Sequence, residues 1–188
     1  MTDPRLTRAL AAIDTANAAD PTLEDGRPAA LLYGERMSAE LAHLFPEAGP
    51  ALQIAARGQH IERWLLPRSA YPEGREGYLT WRRDQGRRHS ERVMGIMAEA
   101  GFPLEDQEAV ARMLRKEGLK RDPLVQSLED VICFVFLRFY FRDFATKHPP
   151  EELNRIVEKT ARKMSPTGRA RVLAEFALPE ALAAAFRD

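Results

Sequence analysis

The chain has 188 residues, with 28 lysines and arginines against 28 aspartates and glutamates, so its formal net charge is zero. This balance gives no bulk attraction toward nucleic acid or a membrane surface. Apolar residues make up 45% of the chain and charged residues 30%, as in ordinary globular proteins. A chain of this length can bury a sizeable core, and we predict one all-helical domain over residues 1–188.

The sequence shows no targeting or membrane-spanning signal. The first ten residues, MTDPRLTRAL, contain no apolar run long enough for a secretory signal. The longest apolar run, residues 131–137, is too short to cross a bilayer, and it contains the single cysteine, Cys133, so an internal disulfide is excluded. We therefore expect a cytoplasmic protein without a membrane partner, and its oligomeric state is not indicated.

Apolar residues recur at three- and four-residue spacing along most of the chain, which predicts helices. Four prolines stand where helical patterns begin: Pro28, Pro123, Pro166 and Pro179. Asp122 and Ser165 are predicted N-caps, because a short side-chain oxygen can accept from the free amides of the first turn. The pattern indicates about seven or eight helices. The pair Asp25-Gly26 is not flanked by alternating segments, so no hairpin is expected.

Two segments depart from a simple amphipathic pattern. Residues 128–144, LEDVICFVFLRFYFRDF, are apolar on nearly every face. Their β-branched and aromatic content is also found in buried strands, but their length and the start signal at Asp122-Pro123 favour a central helix. Residues 67–77 hold two prolines and two glycines and predict one long loop in the first half, where function is often found.

Polar residues on apolar helix faces are the first candidates for a site. His89 precedes Val93 and Ile96 at helical spacing, so its ring faces the core or a cleft. Asp130 shares a face with Phe134, and a buried carboxylate needs an arginine, a metal or several hydrogen bonds. The alternatives are a core histidine bonded to the backbone and a carboxylate that serves the helix dipole.

The stretch RGQHIERWLLPRSAYP, residues 57–72, combines a histidine with arginines and aromatic residues. We expect a helix C-terminus that carries His60 and Arg63, followed by a rigid loop that carries Arg68 and Tyr71. Guanidinium groups bind phosphate oxygens bidentately, so this set suits a phosphorylated ligand. A solvated arginine face is the alternative.

A cluster of basic residues follows near Tyr78 and Trp81. Its members are five arginines of one helical segment: Arg82, Arg83, Arg87, Arg88 and Arg92. Phosphate or single-stranded nucleic acid could bind such a cluster. The interspersed acidic residues favour a helix surface of ion pairs, so a nucleic acid partner is not expected.

An ordered set of motifs resembles a known family. The motifs are LLYGERMSAEL, LQIAARGQHIERWLLPRSAYP, GYLTWRRDQGRRHSE, QSLEDVICFVFLRFYF and RKMSPTGR. Together they are similar to domain-of-unknown-function family 4202, over about residues 13–176. Some members of that family are labelled glutamyl-tRNA synthetase-like.

The synthetase label does not fit the residues. Class I synthetases carry a His-Ile-Gly-His and a Lys-Met-Ser-Lys-Ser motif, and this chain has QHIER and RKMSPT in that order. Glu62 and Arg63 replace the glycine and second histidine of the first motif. A synthetase also needs a parallel sheet around its nucleotide, and no strands are predicted. We therefore reject a synthetase activity.

A more distant resemblance concerns the HD superfamily of metal-dependent phosphohydrolases. HSERVMGIMAEAGFPLEDQEAVARMLRKEG, followed by the aspartate of SLEDV, is similar to its pattern. In that superfamily, histidines and aspartates of several helices hold divalent metals that activate water. The resemblance implies that His89 and Asp130 are ligands, with His60 as an addition. Lys116-Glu117 stand where the His-Asp doublet is expected, so Lys116 could instead leave an anion pocket.

The leading hypothesis is an all-α, HD-domain-like hydrolase of a phosphorylated small molecule or nucleotide, with a divalent metal of unidentified type. Its catalytic and metal-binding residues would be His60, His89 and Asp130. Its substrate-binding residues would be Arg63, Arg68, Tyr71, Trp64, Trp81 and Lys116. The alternative is a non-catalytic module that binds a nucleotide, another anion or a protein and has lost the metal site.

Overall fold

The computed structural model describes residues 3–187, and it confirms the predicted all-α fold. The chain divides into two compact units, the first ending at Glu117 and the second beginning at Gly118. This division does not test the prediction of a single domain, which stays a prediction. Within the described residues, no helix is both long and apolar enough to cross a membrane.

The first unit is built from five α-helices within the described residues. They are α1 (Pro4–Asn17), α2 (Ala29–Leu44), α3 (Pro50–Arg57), α4 (Gly74–Ala100) and α5 (Leu104–Arg115). Helix α4 packs against α5 and α1, and α3 packs against α2 and α5. The apolar stripe predicted on α4 faces this core, since Val93, Ile96 and Met97 are all buried. The position of His89 one turn before Val93 therefore buries its ring as well.

A small hairpin precedes α2, and the expectation of no hairpin was wrong. Strand β1 (Leu23–Glu24) pairs antiparallel with β2 (Arg27–Pro28). Asp25 and Gly26 form the turn with φ of 51° and 74°, the left-handed values that a two-residue hairpin turn requires. Two-residue strands are too short to show alternation in a sequence, so only the Asp-Gly pair signalled the turn.

The loop between α3 and α4 begins earlier than the sequence indicated. Helix α3 ends at Arg57 and Gly58 is its C-cap, so His60 and Arg63 follow the helix and do not lie in its last turn. A Cβ on Gly58 would come within 2.7 Å of Val93 Cγ2, so only glycine lets the loop pack this closely on α4. Two short 3-10 turns continue the loop, at Arg63–Leu65 and Arg68–Ala70. Helix α4 then starts at Gly74, inside the predicted loop of residues 67–77.

The second unit is also helical. Its elements are α6 (Pro123–Val135), a π-helical turn (Phe136–Tyr140), α7 (Phe141–Ala145), α8 (Pro150–Lys163), α9 (Pro166–Glu175), α10 (Glu180–Ala183) and a 3-10 turn (Ala184–Phe186). Both predicted caps are confirmed: Asp122 accepts from the Leu124 amide, and the Ser165 hydroxyl accepts from the Gly168 amide. The helix predicted over residues 128–144 is helical throughout but not one α-helix, because α6 ends at Val135 and a π turn separates it from α7.

Candidate functional site

A cavity of about 450 Å³ opens along α4 in the first unit. Helix α4, the preceding loop and the end of α5 line it with Gln59, Arg63, Arg82, Arg83, Gln85, Gly86, Arg87, His89, Leu114, Arg115, Lys116 and Glu117. This volume lies in the range of small-molecule sites. Its polar lining makes the cavity the candidate functional site of the first unit.

The close approach of α4 and the end of α5 depends on Gly86. A Cβ on Gly86 would lie 3.3 Å from the Leu114 carbonyl oxygen, tighter than ordinary contact. Helix α5 ends at Arg115, and its C-cap Lys116 adopts a left-handed conformation with φ of 57°, while the Lys116 amide donates to the Met113 carbonyl. This helix end places Lys116 and Glu117 at the cavity.

The charges around the cavity are strongly unbalanced. Six cationic side chains line it against one carboxylate, Glu117, which is bound to Arg115 at 2.7 Å. Among the described residues, no carboxylate pairs with Arg82 or Arg87. Because opposite charge is scarce, an anion entering the cavity would meet several guanidinium groups at once.

Arg88 and Arg92 belong to the same arginine cluster but serve the fold. Both guanidinium groups reach the Glu62 carboxylate at 3.3 Å. Glu62 itself is held in a left-handed conformation, and its amide donates to Asn17 Oδ1. The predicted surface of ion pairs therefore describes this part of the cluster, whereas Arg82, Arg83 and Arg87 line the cavity.

Arg63 lies in a part of the site where burial and neighbouring positive charge disfavour its charged form. Its guanidinium lies 4.6 Å from the centre of the Trp81 ring, a cation–π contact that fixes its direction. Burial and the positive charge of Arg82 lower the pKa of Arg63 to about 10. A bound anion would offset both effects, because it supplies the missing counter-charge.

His89 contributes a buried ring nitrogen to the cavity. The residue is 3% exposed, and its Nε2 atom has no hydrogen-bond partner in the described residues. Burial, with the nearby charges of Arg63 and Arg88, lowers the pKa of His89 to about 3, while a hydrogen bond to the Gln59 backbone raises it. His89 is therefore neutral at physiological pH.

The neutral state of His89 predicts a specific pH dependence. In the unfolded chain its pKa returns to about 6.5, so between pH 6.5 and 3 the unfolded state binds the additional proton. The contribution of His89 to the free energy of unfolding is fully present above pH 6.5. Below that pH the free energy of unfolding falls by at most about 1.4 kcal/mol per pH unit because of this residue. We expect His89→Phe to flatten the loss of unfolding free energy between pH 6 and pH 4, measured by urea denaturation. An equally steep loss in the variant would contradict a neutral His89.

His60 lies next to His89 but outside the cavity lining. Its ring stacks on Tyr33 with centroids 3.8 Å apart, and its centroid is 6.3 Å from that of His89. Burial and the charge of Arg63 hold the pKa of His60 well below its usual range. His60 is therefore a neutral stacked ring that neighbours His89.

The other predicted substrate-binding residues hold the loop together. Arg68 donates to the Tyr71 carbonyl at 3.0 Å, and the Tyr71 hydroxyl donates to Asp84 at 2.9 Å. Trp81 donates from Nε1 to a loop carbonyl at 3.0 Å. Trp64 is half-buried in the loop and does not line the cavity. Of the predicted set, the cavity brings together Arg63, His89 and Lys116.

Asp130 belongs to the second unit, where other groups bind its carboxylate. It accepts from the Ser165 amide at 2.8 Å, the Ser165 hydroxyl at 2.5 Å and Gln126 Nε2 at 3.1 Å. A Cβ on Gly168 would come within 2.9 Å of the same carboxylate. These contacts show a carboxylate that anchors the start of α9.

The residues at the cavity fit a divalent metal poorly. Metals in protein sites take neutral imidazoles and carboxylates, whereas this lining holds six cations and one carboxylate already bound to arginine. The metal set of His60, His89 and Asp130 stays a prediction.

Several cavity residues were not predicted as site residues. They are Gln59, Arg82, Arg83, Gln85, Arg87 and Arg115. One signal was available, because Arg82, Gln85 and His89 recur at three- and four-residue spacing on one helix. The acidic residues among the arginines favoured a surface of ion pairs instead, so this spacing was not interpreted as a site.

Comparison with known proteins identifies the family of this chain. A family model described as Domain of unknown function (DUF4202) matches residues 7–185, nearly the whole chain. The chain belongs to this family. No curated protein and no solved structure matches it. The description of this family names no activity, and the resemblance to the HD superfamily stays a prediction.

Proposed function

We propose that this DUF4202 protein binds a phosphorylated small molecule in the cavity along α4. The observation that carries the proposal is the excess of positive charge in the lining, in which Arg82 and Arg87 pair with no carboxylate among the described residues. This proposed binding function corresponds to the non-catalytic anion-binding module, which is the alternative to the hydrolase expected from the sequence.

Guanidinium groups favour phosphate over simpler anions. Each arginine offers paired N–H donors that match two phosphate oxygens, and each such charge-assisted bond is stronger than a neutral one. Arg63 is already oriented by the Trp81 ring, so little side-chain freedom is lost on binding. Lys116 adds an ammonium group at the end of α5.

Binding is better supported than hydrolysis. Hydrolysis of a phosphate ester needs a metal-bound or base-activated water, and a carboxylate or a histidine with a pKa near 7 usually activates it. The pKa of His89 is about 3, and Glu117 is bound to Arg115. Neither group is suited to accept a proton from water at neutral pH.

A phosphate titration tests the proposal. We expect inorganic phosphate and pyrophosphate to raise the Tm of the full chain in a saturable way, by the equivalent of about 2.7 kcal/mol at one hundred times Kd. Sodium chloride at matched ionic strength is the control, because it screens charges without bidentate contacts.

Two outcomes would count against this function. Equal stabilisation by phosphate and by chloride at the same ionic strength would show that the cavity has no anion site. Steady release of phosphate from p-nitrophenyl phosphate, lost in His89→Phe, would instead support the hydrolase predicted from the sequence.

A further inference from the structure

The inner part of the cavity carries unsatisfied hydrogen-bond acceptors. Gln59 Oε1, Gln85 Oε1 and His89 Nε2 are buried without a hydrogen-bond partner in the described residues, and all three residues line the cavity. Gln85 is 2% exposed and His89 is 3% exposed. Buried polar atoms are nearly always paired in folded proteins, with protein groups, ordered water or a ligand, so this cluster of acceptors in one cavity is a place where donors of a ligand can replace water.

The chemical character of two of these atoms is fixed by their surroundings. Gln85 Nε2 donates to the Arg63 carbonyl at 3.1 Å and to the Leu66 carbonyl at 2.9 Å, so the amide oxygen is the atom left without a partner. The hydrogen bond between His89 and the Gln59 backbone raises the pKa of His89, as it does where a ring N–H donates the hydrogen bond to a carbonyl oxygen. The other nitrogen, Nε2, is then an acceptor.

Gln85 and His89 stand four residues apart on α4, so their side chains share one face of the helix. The cavity therefore presents two neighbouring acceptors on its inner helix face and a set of cations around them. A ligand that satisfies both features carries neighbouring hydrogen-bond donors and a negative group. Its donors must be uncharged, because six cations would repel an ammonium group.

Resting on the proposed phosphate binding, we infer that the ligand is a phosphorylated sugar whose hydroxyl groups donate to Gln85 Oε1 and His89 Nε2. Neighbouring hydroxyl groups are neutral donors that can point in the same direction from one ring. The phosphate meets Arg63, Arg82 and Lys116, and the hydroxyl groups meet α4. Gln59 Oε1 offers a further acceptor, on a residue that also lines the cavity.

A matched pair of ligands tests this inference in the wild-type full chain. Ribose 5-phosphate and pentyl phosphate have five carbons and the same phosphate, but only the sugar has hydroxyl donors. Pentyl phosphate would displace water from the acceptors without replacing its hydrogen bonds. By isothermal titration calorimetry we expect ribose 5-phosphate to bind at least about tenfold more tightly.

Substitution of His89 tests whether its ring nitrogen causes the preference for ribose 5-phosphate over pentyl phosphate. His89→Phe keeps an aromatic ring and removes the acceptor, so it is expected to lose about tenfold in affinity for ribose 5-phosphate and little for pentyl phosphate. His89→Gln returns an amide acceptor and should recover part of the difference. Circular dichroism establishes that each variant is folded before it is titrated.

Failure of the sugar inference can be distinguished from failure of the proposed phosphate binding. Equal affinity of the wild-type protein for ribose 5-phosphate and pentyl phosphate overturns the sugar inference and leaves phosphate binding intact. No binding of inorganic phosphate or of either ester overturns the proposed function itself. A sugar preference that His89→Phe and Gln85→Met both retain would place the hydroxyl groups elsewhere and also overturn the inference.

Discussion

Replacing Arg82 with glutamine is expected to weaken phosphate binding about ten- to hundredfold, because one charge-assisted contact is lost. The same change should leave the Tm of the free protein unchanged or raise it. Arg82 lowers the pKa values of His60, Arg63 and His89 through its positive charge, and it pairs with no carboxylate among the described residues. Calorimetric titration with pyrophosphate and a thermal melt measure the two effects.

Arg75→Gln is the matched control for this variant. Arg75 lies in the first turn of the same helix, is exposed and does not line the cavity, yet its loss changes the net charge equally. Equal pyrophosphate affinities for the two variants would show that Arg82 acts only through net charge. Loss of affinity together with a lower Tm would show that Arg82 supports the fold, which would contradict its assignment to the ligand.

Replacing Asp130 with alanine is expected to lower the free energy of unfolding by about 3 kcal/mol. Three hydrogen bonds to a buried carboxylate are lost, and the Ser165 amide and hydroxyl are left without this acceptor. The start of α9 depends on Ser165, whose hydroxyl accepts from the Gly168 amide. Urea denaturation followed by circular dichroism measures the loss.

Asp143→Ala provides the comparison in the same unit. Asp143 is exposed in α7, and its removal should cost less than about 0.5 kcal/mol. The contrast separates two roles for Asp130, because a carboxylate whose main role is to bind a metal would contribute little to the stability of the metal-free protein. An unchanged denaturation midpoint for Asp130→Ala would favour the metal ligand predicted from the sequence.

Residues that were predicted from the sequence to form one site have different positions and contacts in the structure. His89 and Arg63 line the cavity, His60 stacks beside it, and Asp130 anchors a helix start in the second unit. The arginine cluster likewise divides, since Arg88 and Arg92 bind Glu62 whereas Arg82 and Arg87 do not. Arg82 and Arg87 are therefore the arginines of this cluster for which we propose contact with the ligand.

Helix starts could be predicted because their causes are local. Asp122 and Ser165 cap helices through bonds to amides two or three residues away, and the burial of His89 follows from its spacing to Val93. The end of α3 could not be predicted in this way, since Gly58 and the packing of the loop on Val93 determine it. The hairpin turn at Asp25-Gly26 was misjudged because its strands have only two residues each.

The sequence by itself determined the all-α class, the family and the burial of His89 and Asp130, because periodicity, caps and motif order act over short distances along the chain. The tertiary structure decided which of these polar groups are satisfied. Ser165 reaches Asp130 from another helix, whereas Gln85 Oε1 and His89 Nε2 meet no donor in the described residues. The pairing of a buried group depends on elements distant in sequence, and the spacing of residues along one helix does not contain that information.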